Sequence, residues 1–328
     1  MDGAEQLPLV ECLAKVRGNQ MFEKKSFSVL SSDGIHSLAG VVYIPKDEVK
    51  GLFHVVHGMT EHIARYNRLM SDMASLGWIT FGYDHLGHGK TAVDDSELGY
   101  IAPKRGWELL AKDVKVFSDA VRAEFGTDEM PYCLMGHSMG SFVVRVAAER
   151  FVKPDRLIVM GTGGPNPAAG VGLALIEIIK LFKGERHISK LVDSIAFGSY
   201  NDRFGGTFPD DPSRWLTNDE SVRRAYYADK YCTFKFTVSA MGDLIRLIKY
   251  SNSASWFQNI SGSLPILLVS GADDPVGNYG KGVLDVEARL GRKNKLVTCK
   301  LYDGARHEIL NDFTYEITRD DIINFCDA

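Results

Sequence analysis

The sequence has no apolar run of membrane-spanning length. Its most apolar helical stretch, Val171 to Phe182, is about a dozen residues and carries Glu177 and Lys180, whereas a spanning helix needs roughly 20. The first twenty residues lack the apolar core of a secretory signal and place Asp2 and Glu5 early, so the expected compartment is cytoplasmic. Cysteine is sparse and scattered: Cys12, Cys133, Cys232, Cys299 and Cys326 are odd in number and show no CxxC spacing, which argues against a disulfide framework and a cysteine-based zinc site. Positive charge is not in excess. A net charge of -4 and a pI near 6.2 give no basic field for nucleic acid, which is not an expected partner. Internal repeats and low-complexity segments are missing too, and 45% hydrophobic against 24% charged residues is incompatible with long disorder.

What is present is enough chain, 328 residues, for a large α/β core with an inserted subdomain. Segments 25–32 and 36–45 alternate like strands around the turn signal Ser32-Asp33-Gly34 and predict an opening hairpin. The runs Gly51–Val56, Trp78–Tyr83, the apolar stretch ending at Met135, and Arg156–Met160 suit a sheet buried on both faces. Between them, helical spacing covers Ala64–Leu76 and Lys104–Phe125, each stopped by a glycine, and the segment after Gly140. This alternation predicts a mostly parallel central sheet flanked by helices. It lapses over residues 166–263, which show helical patterns around an aromatic, charged middle containing Phe204, Phe208 and Trp215. It resumes with strands over 264–270 and 296–302 and a terminal helix over 315–326. The expected division is therefore a core formed by 1–165 and 264–328, with a helical cap, 166–263, inserted after the sixth strand.

Chemistry concentrates at Gly136-His137-Ser138-Met139-Gly140. A G-x-S-x-G sequence between a strand and a helix reads as a nucleophile elbow, in which a sharp turn pushes the serine hydroxyl clear of the backbone. Serine is a poor nucleophile at neutral pH and needs a base, itself held by an acid. In α/β enzymes of this type the order is serine, acid, histidine, each at a strand's carboxyl end. Only His187 and His307 follow Ser138, and only His307 stands on the loop after the last strand. Asp273 and Asp274 stand together after the penultimate strand, and Asp274, before Pro275, is favoured as the acid. Backbone N–H groups of Met139 and Met59 are the expected oxyanion donors. His54 with His57, and His85 with His88, have H-x-x-H spacing, but no carboxylate or cysteine set completes either pair, so neither is read as a metal site. His85 and His88 are expected to brace the glycine loop through backbone hydrogen bonds.

Five motifs in order, His57-Gly58-Met59-Thr60-Glu61-His62 with Arg65-Tyr66, Tyr83-Asp84-His85-Leu86-Gly87-His88-Gly89, Gly136–Gly140, Gly271-Ala272-Asp273-Asp274-Pro275-Val276 and Gly304-Ala305-Arg306-His307-Glu308, resemble the monoacylglycerol lipase and lysophospholipase group of α/β-hydrolases. The resemblance implies a serine hydrolase with a helical cap, acting on a small-molecule acyl ester without metal or cofactor. It implies Ser138, Asp274 and His307 at the triad positions and Met59 and Met139 at the oxyanion positions. The insertion is longer and more aromatic than the compact cap of monoacylglycerol lipases. Within it, Val171, Leu175, Ile178, Ile179 and Phe182 fall on one helical stripe. Leu175, Ile178 and Ile179 are the expected substrate-binding residues if the stripe roofs the site; otherwise it packs the helix onto the core. Two rival readings are an aminopeptidase, which needs a cap carboxylate such as Asp210, Asp211, Asp219, Glu220 or Asp229 to hold an ammonium, and a non-catalytic receptor on the same fold.

Overall fold

The computed structural model describes residues 21–127, 129–205, 211–294 and 296–328; Cys12, Phe208 and Asp210 lie outside them. In chain order the elements are β1 (Phe22–Leu30), β2 (Ser37–Pro45), β3 (Gly51–Val56), a 3₁₀ turn (Ile63–Tyr66), α1 (Asn67–Ser75), β4 (Trp78–Tyr83), α2 (Gly106–Phe125), β5 (Tyr132–His137), α3 (Met139–Arg150) and β6 (Arg156–Met160). There follow α4 (Ala169–Lys183), α5 (Lys190–Phe197), α6 (Glu220–Ala228), α7 (Val238–Ser251), α8 (Ala254–Asn259), β7 (Ile266–Gly271), α9 (Lys281–Leu290), β8 (Val297–Tyr302) and α10 (Tyr315–Asp327).

The eight strands form one sheet in the order β1-β2-β4-β3-β5-β6-β7-β8. Strand β2 runs antiparallel to both its neighbours, and the pairings from β4 to β8 are parallel. Every residue of β3, β4, β5 and β7 is buried, as a parallel sheet covered on both faces requires. Alternate residues serve opposite layers. Leu52, Val56, Tyr132 and Leu134 pack with Leu110, Phe117, Val143 and Leu247 of α2, α3 and α7. Phe53, Val55, Cys133 and Met135 pack with Leu69 and Met73 of α1 and Ile322 of α10. The strand order turns back between β3 and β5: β4 lies on one side of β3 and β5 on the other. The carboxyl ends of these two strands therefore flank a crevice, the natural place for a ligand in such a sheet.

The expected hairpin, strands and long helices are present. The pattern over 64–76 divides into the 3₁₀ turn and α1, and α2 begins at Gly106, after Arg105 adopts a left-handed φ of 54°. Gly126, at φ 64°, terminates α2 as its glycine suggests. Between β6 and β7 the described residues contain five helices and no strand. Two of them, α6 and α8, were not expected. Helix α7 packs on α2, α3 and α4, and its Val238 and Leu247 are fully buried. Among the described residues no helix is long and apolar enough to cross a membrane.

Candidate active site

Strand β5 ends at His137, and Ser138 links it to α3 with φ 54° and ψ -121°. Such backbone costs on the order of 1–3 kcal/mol in a non-glycine residue and persists only where the surroundings enforce it. Here they do. The Ser138 N–H donates to Met160 O at 2.9 Å on the adjacent strand. A Cβ on Gly140 would run into the Val56 carbonyl, and one on Gly136 into the Gly140 carbonyl, so the turn closes only with glycine at both places.

Strand β7 ends at Gly271, and a Cβ there would strike the Ala305 and Arg306 carbonyls. This close approach brings the loop after β8 against the loop after β7. His307 and Asp274, 2% and 0% exposed, meet across it: His307 Nδ1 donates to Asp274 Oδ2 at 2.9 Å. Asp274 also accepts from Ser270 Oγ at 3.2 Å and from the Val276 N–H at 2.8 Å. Asp273 is exposed. The other face of His307 is set by its neighbours, with the rings of His137 and Trp215 at 4.7 and 5.0 Å between centroids. Its own N–H reaches Trp215 O at 3.4 Å, and the Glu308 N–H reaches Leu216 O at 2.7 Å. The segment before α6 thus lies over the histidine loop.

Ser138, His307, Met59 and Met139 all open onto one cavity of about 570 Å³. Its walls are largely apolar and aromatic, and include Phe142, Ile176, Phe197, Tyr200, Trp215 and Met241. Of the three residues expected to bind substrate, Leu175 lines this cavity. Ile178 does not: it is 56% exposed on the outer side of α4. Ile179 packs beside the core and is not among the residues lining the cavity. The face that does turn inward carries Ala169, Gly172, Leu175 and Ile176, spaced by three, three and one as one side of a helix must be. Val171 and Phe182, also assigned to the stripe, are 75% and 77% exposed. Helix α4 is apolar nearly all round, so periodicity alone could not choose its inner face.

Sequence reasoning assigned no role to the ionic cluster beneath the serine. Glu61, Arg65, Tyr66, His137 and Glu308 tie together the loop after β3, the residue before Ser138 and the residue after His307. Glu61 Oε1 accepts from the Gly58 N–H at 2.6 Å and from Tyr66 Oη at 2.8 Å. Arg65 donates to Glu61 at 2.9 Å and, through both terminal nitrogens, to Glu308 at 2.6 Å. His137 Nε2 donates to His307 O at 3.2 Å, while Nδ1 lies 2.8 Å from Tyr66 Oη and 3.3 Å from Glu61. With Tyr66 Oη donating to Glu61, this arrangement favours a proton on both His137 nitrogens. Burial opposes both charges, but the His137 hydrogen bond and Arg65 outweigh it and hold Glu61 well below the carboxylate range. The same carboxylate, against the same burial, raises His137. The available signal was charge, Glu61 and Arg65, at the end of an otherwise buried strand.

The remaining motif histidines brace the glycine loop locally, although His54 Nε2, His85 Nδ1 and His88 Nε2 are buried without a hydrogen-bond partner among the described residues. His57 Nε2 accepts from the His85 N–H at 2.9 Å and its Nδ1 donates to Gly58 O at 2.8 Å; His88 Nδ1 donates to Leu86 O at 2.9 Å and His85 Nε2 to His57 O at 3.2 Å. Burial, first among the causes, lowers His54 and His57 to about 3, His88 to about 4 and His85 well below its ordinary value. Unfolded histidine titrates near 6.5. Their contribution to stability is therefore complete above about pH 6.5 and is lost as pH falls toward these folded values, while His137, shifted upward, contributes in the opposite sense. Four such groups give a slope of up to about 5 kcal/mol per pH unit. Urea midpoints measured between about pH 7 and pH 5 are expected to fall steeply with acidification; a flat profile would show that these rings are not buried neutral.

A mostly parallel sheet, a strained serine between β5 and α3 and a buried acid–histidine pair after β7 and β8 define an α/β-hydrolase. Residues 47–314 match the family described as Serine aminopeptidase, S33, and the chain belongs to it. A monoacylglycerol lipase of Mycolicibacterium smegmatis is 25% identical, covering 90% of this chain and 98% of that protein. A monoglyceride lipase of Rattus norvegicus is 31% identical over 83% of this chain and 82% of its own length. A thermostable carboxyl esterase of Bacillus coagulans, solved with glycerol, superposes with a TM-score of 0.86 at 27% identity, covering 93% of this chain and 98% of that one.

Proposed function

We propose that this protein, a carboxylic ester hydrolase by its family and relatives, cleaves esters of apolar acyl chains, monoacylglycerol-like substrates among them, through an acyl-enzyme on Ser138. The observation that carries this is the buried His307–Asp274 pair, whose histidine lines, with Ser138, one apolar cavity. Ser138 Oγ attacks the ester carbonyl, and His307 Nε2 takes its proton and delivers it to the departing alcohol. Asp274 holds Nδ1–H and stabilises the imidazolium. The Met59 and Met139 N–H groups receive the oxyanion. Water, deprotonated in the same way, then releases the acid. On this reading the roof over the site is α4, α5 and the segment leading into α6, whereas α7 and α8, although within 166–263, belong with the core on which they pack.

Among the described residues the aminopeptidase alternative loses its anchors. Asp211 is fully buried against Arg223 at 2.7 Å, Asp219 caps α6, Glu220 pairs with Arg224 and Asp229 with His62. Turnover of acyl esters graded by chain length, set against aminoacyl amides, tests the choice; preference for the amides would reject the ester reading.

Leu175→Gln should depress kcat/KM for medium-chain esters while sparing acetate esters. Loss of contact with about three methylenes corresponds to about 2 kcal/mol, or roughly 30-fold. Ile178→Gln, on the outer surface, should match the parent enzyme at every chain length. Equal losses at all chain lengths for Leu175→Gln would remove the acyl chain from that wall.

A further inference from the structure

A second cluster of chemically capable side chains lies beside the cavity, and the proposed ester cleavage makes no use of it. His62 closes the loop after β3, while Asp229 and Cys232 follow α6, so the two sides come from parts of the chain 167 residues apart. His62 Nε2 lies 2.9 Å from Asp229 Oδ2. That imidazole nitrogen, the carboxylate oxygen and Cys232 Sγ all lie within 4.8 Å of one another. Asp229 is already oriented: its other oxygen accepts from the Tyr231 N–H at 2.8 Å, which turns Oδ2 toward the histidine. Cys232 is 2% exposed and lines the cavity, whereas His62 and Asp229 face partly outward, so an ion can enter from solvent and reach the thiol from the side of the other two.

We infer that His62, Asp229 and Cys232 form a binding site for a single zinc-type divalent cation, joining the loop that bears Met59 to the cavity wall. One nitrogen, one oxygen and one sulfur donor are the borderline-soft set that Zn²⁺ accepts, with bonds of about 2.0–2.3 Å to each. Around a tetrahedral ion such bonds place donors roughly 3.2–3.8 Å apart, so the site closes with side-chain shifts of about an ångström. The charge also balances. A carboxylate, a neutral imidazole and a thiolate offset the two charges of the ion. Binding forms three protein–zinc bonds and breaks the His62–Asp229 hydrogen bond; the imidazole proton moves from Nε2 to Nδ1, the thiol proton is released to solvent, no oxidation state changes, and the fourth position is left for water.

The test uses the full-length protein stripped of metal by a chelator, with Co²⁺ as a spectroscopic stand-in and Zn²⁺ as the competitor. One equivalent of Co²⁺ should produce a thiolate-to-cobalt charge-transfer band in the near ultraviolet, which Zn²⁺ abolishes. Cys232→Ser should remove the band, and Asp229→Asn or His62→Gln should weaken Co²⁺ binding tenfold or more. Because Asp229 is partly exposed, Asp229→Asn keeps the test valid should Cys232→Ser misfold. No band in the parent protein, a band that survives Cys232→Ser, or unchanged affinity in both Asp229→Asn and His62→Gln would each overturn the assignment and leave the cluster a hydrogen-bonded tie.

Discussion

Ser138→Ala is expected to lose ester turnover by roughly 10⁴-fold or more, with the residue of activity coming from binding and the oxyanion donors. The fold should hardly notice. Alanine keeps the Cβ that Ser138 already accommodates at φ 54°, and the N–H to Met160 O is a backbone bond that the substitution leaves in place. Only the nucleophilic oxygen goes. A fluorophosphonate probe should label the parent enzyme on Ser138 and fail to label the variant, while the thermal midpoints of the two stay close. Activity retained within about tenfold would mean that another group attacks the substrate, and labelling of neither protein would support a ligand receptor instead.

How much of this was legible in the sequence follows from how local each signal is. The strands β3, β4, β5 and β7 announce themselves because a sheet covered on both faces demands unbroken apolar runs, and each of their residues is buried. Ser138, Asp274 and His307 were placed by the order of strand ends, which the chain preserves even though 33 residues separate the last two. Helix α6 was missed because its only buried residue is Arg223; its start was nonetheless marked by Asp219, whose side chain accepts from the Ser221 and Val222 N–H groups. The inner face of α4 failed for the opposite reason, since Val171, Ile178, Leu181 and Phe182 leave an apolar surface outside as well. The ionic cluster under the serine was legible only in its local part, the charges of Glu61 and Arg65 four residues apart; its closing bonds are long in sequence, His137 to Glu61 spanning 76 residues and Arg65 to Glu308 spanning 243.

The paired aspartates give the sharpest contrast. Asp274→Asn keeps the size of the side chain but inverts one hydrogen bond. The Val276 N–H, 2.8 Å from Oδ1, must still find an acceptor, which fixes the amide oxygen at that place and turns the amide NH₂ toward His307 Nδ1. Two N–H groups cannot face each other, so the imidazole is driven to the tautomer with its proton on Nε2. In that form it has no lone pair to take the Ser138 proton. A loss of about 10⁴-fold in kcat is the expected size of such a tautomer error. Asp273 offers no comparable lever: its side chain is exposed, and the bond it makes to the histidine loop, N–H to Ala305 O at 3.0 Å, is a backbone one that asparagine retains. Asp273→Asn should stay within about threefold of the parent enzyme, as surface changes usually do. Steady-state turnover of one ester by the two variants decides the matter. Were Asp273→Asn the crippled one, the acid would be Asp273, and the 2.9 Å contact between His307 and Asp274 would be a structural bond only.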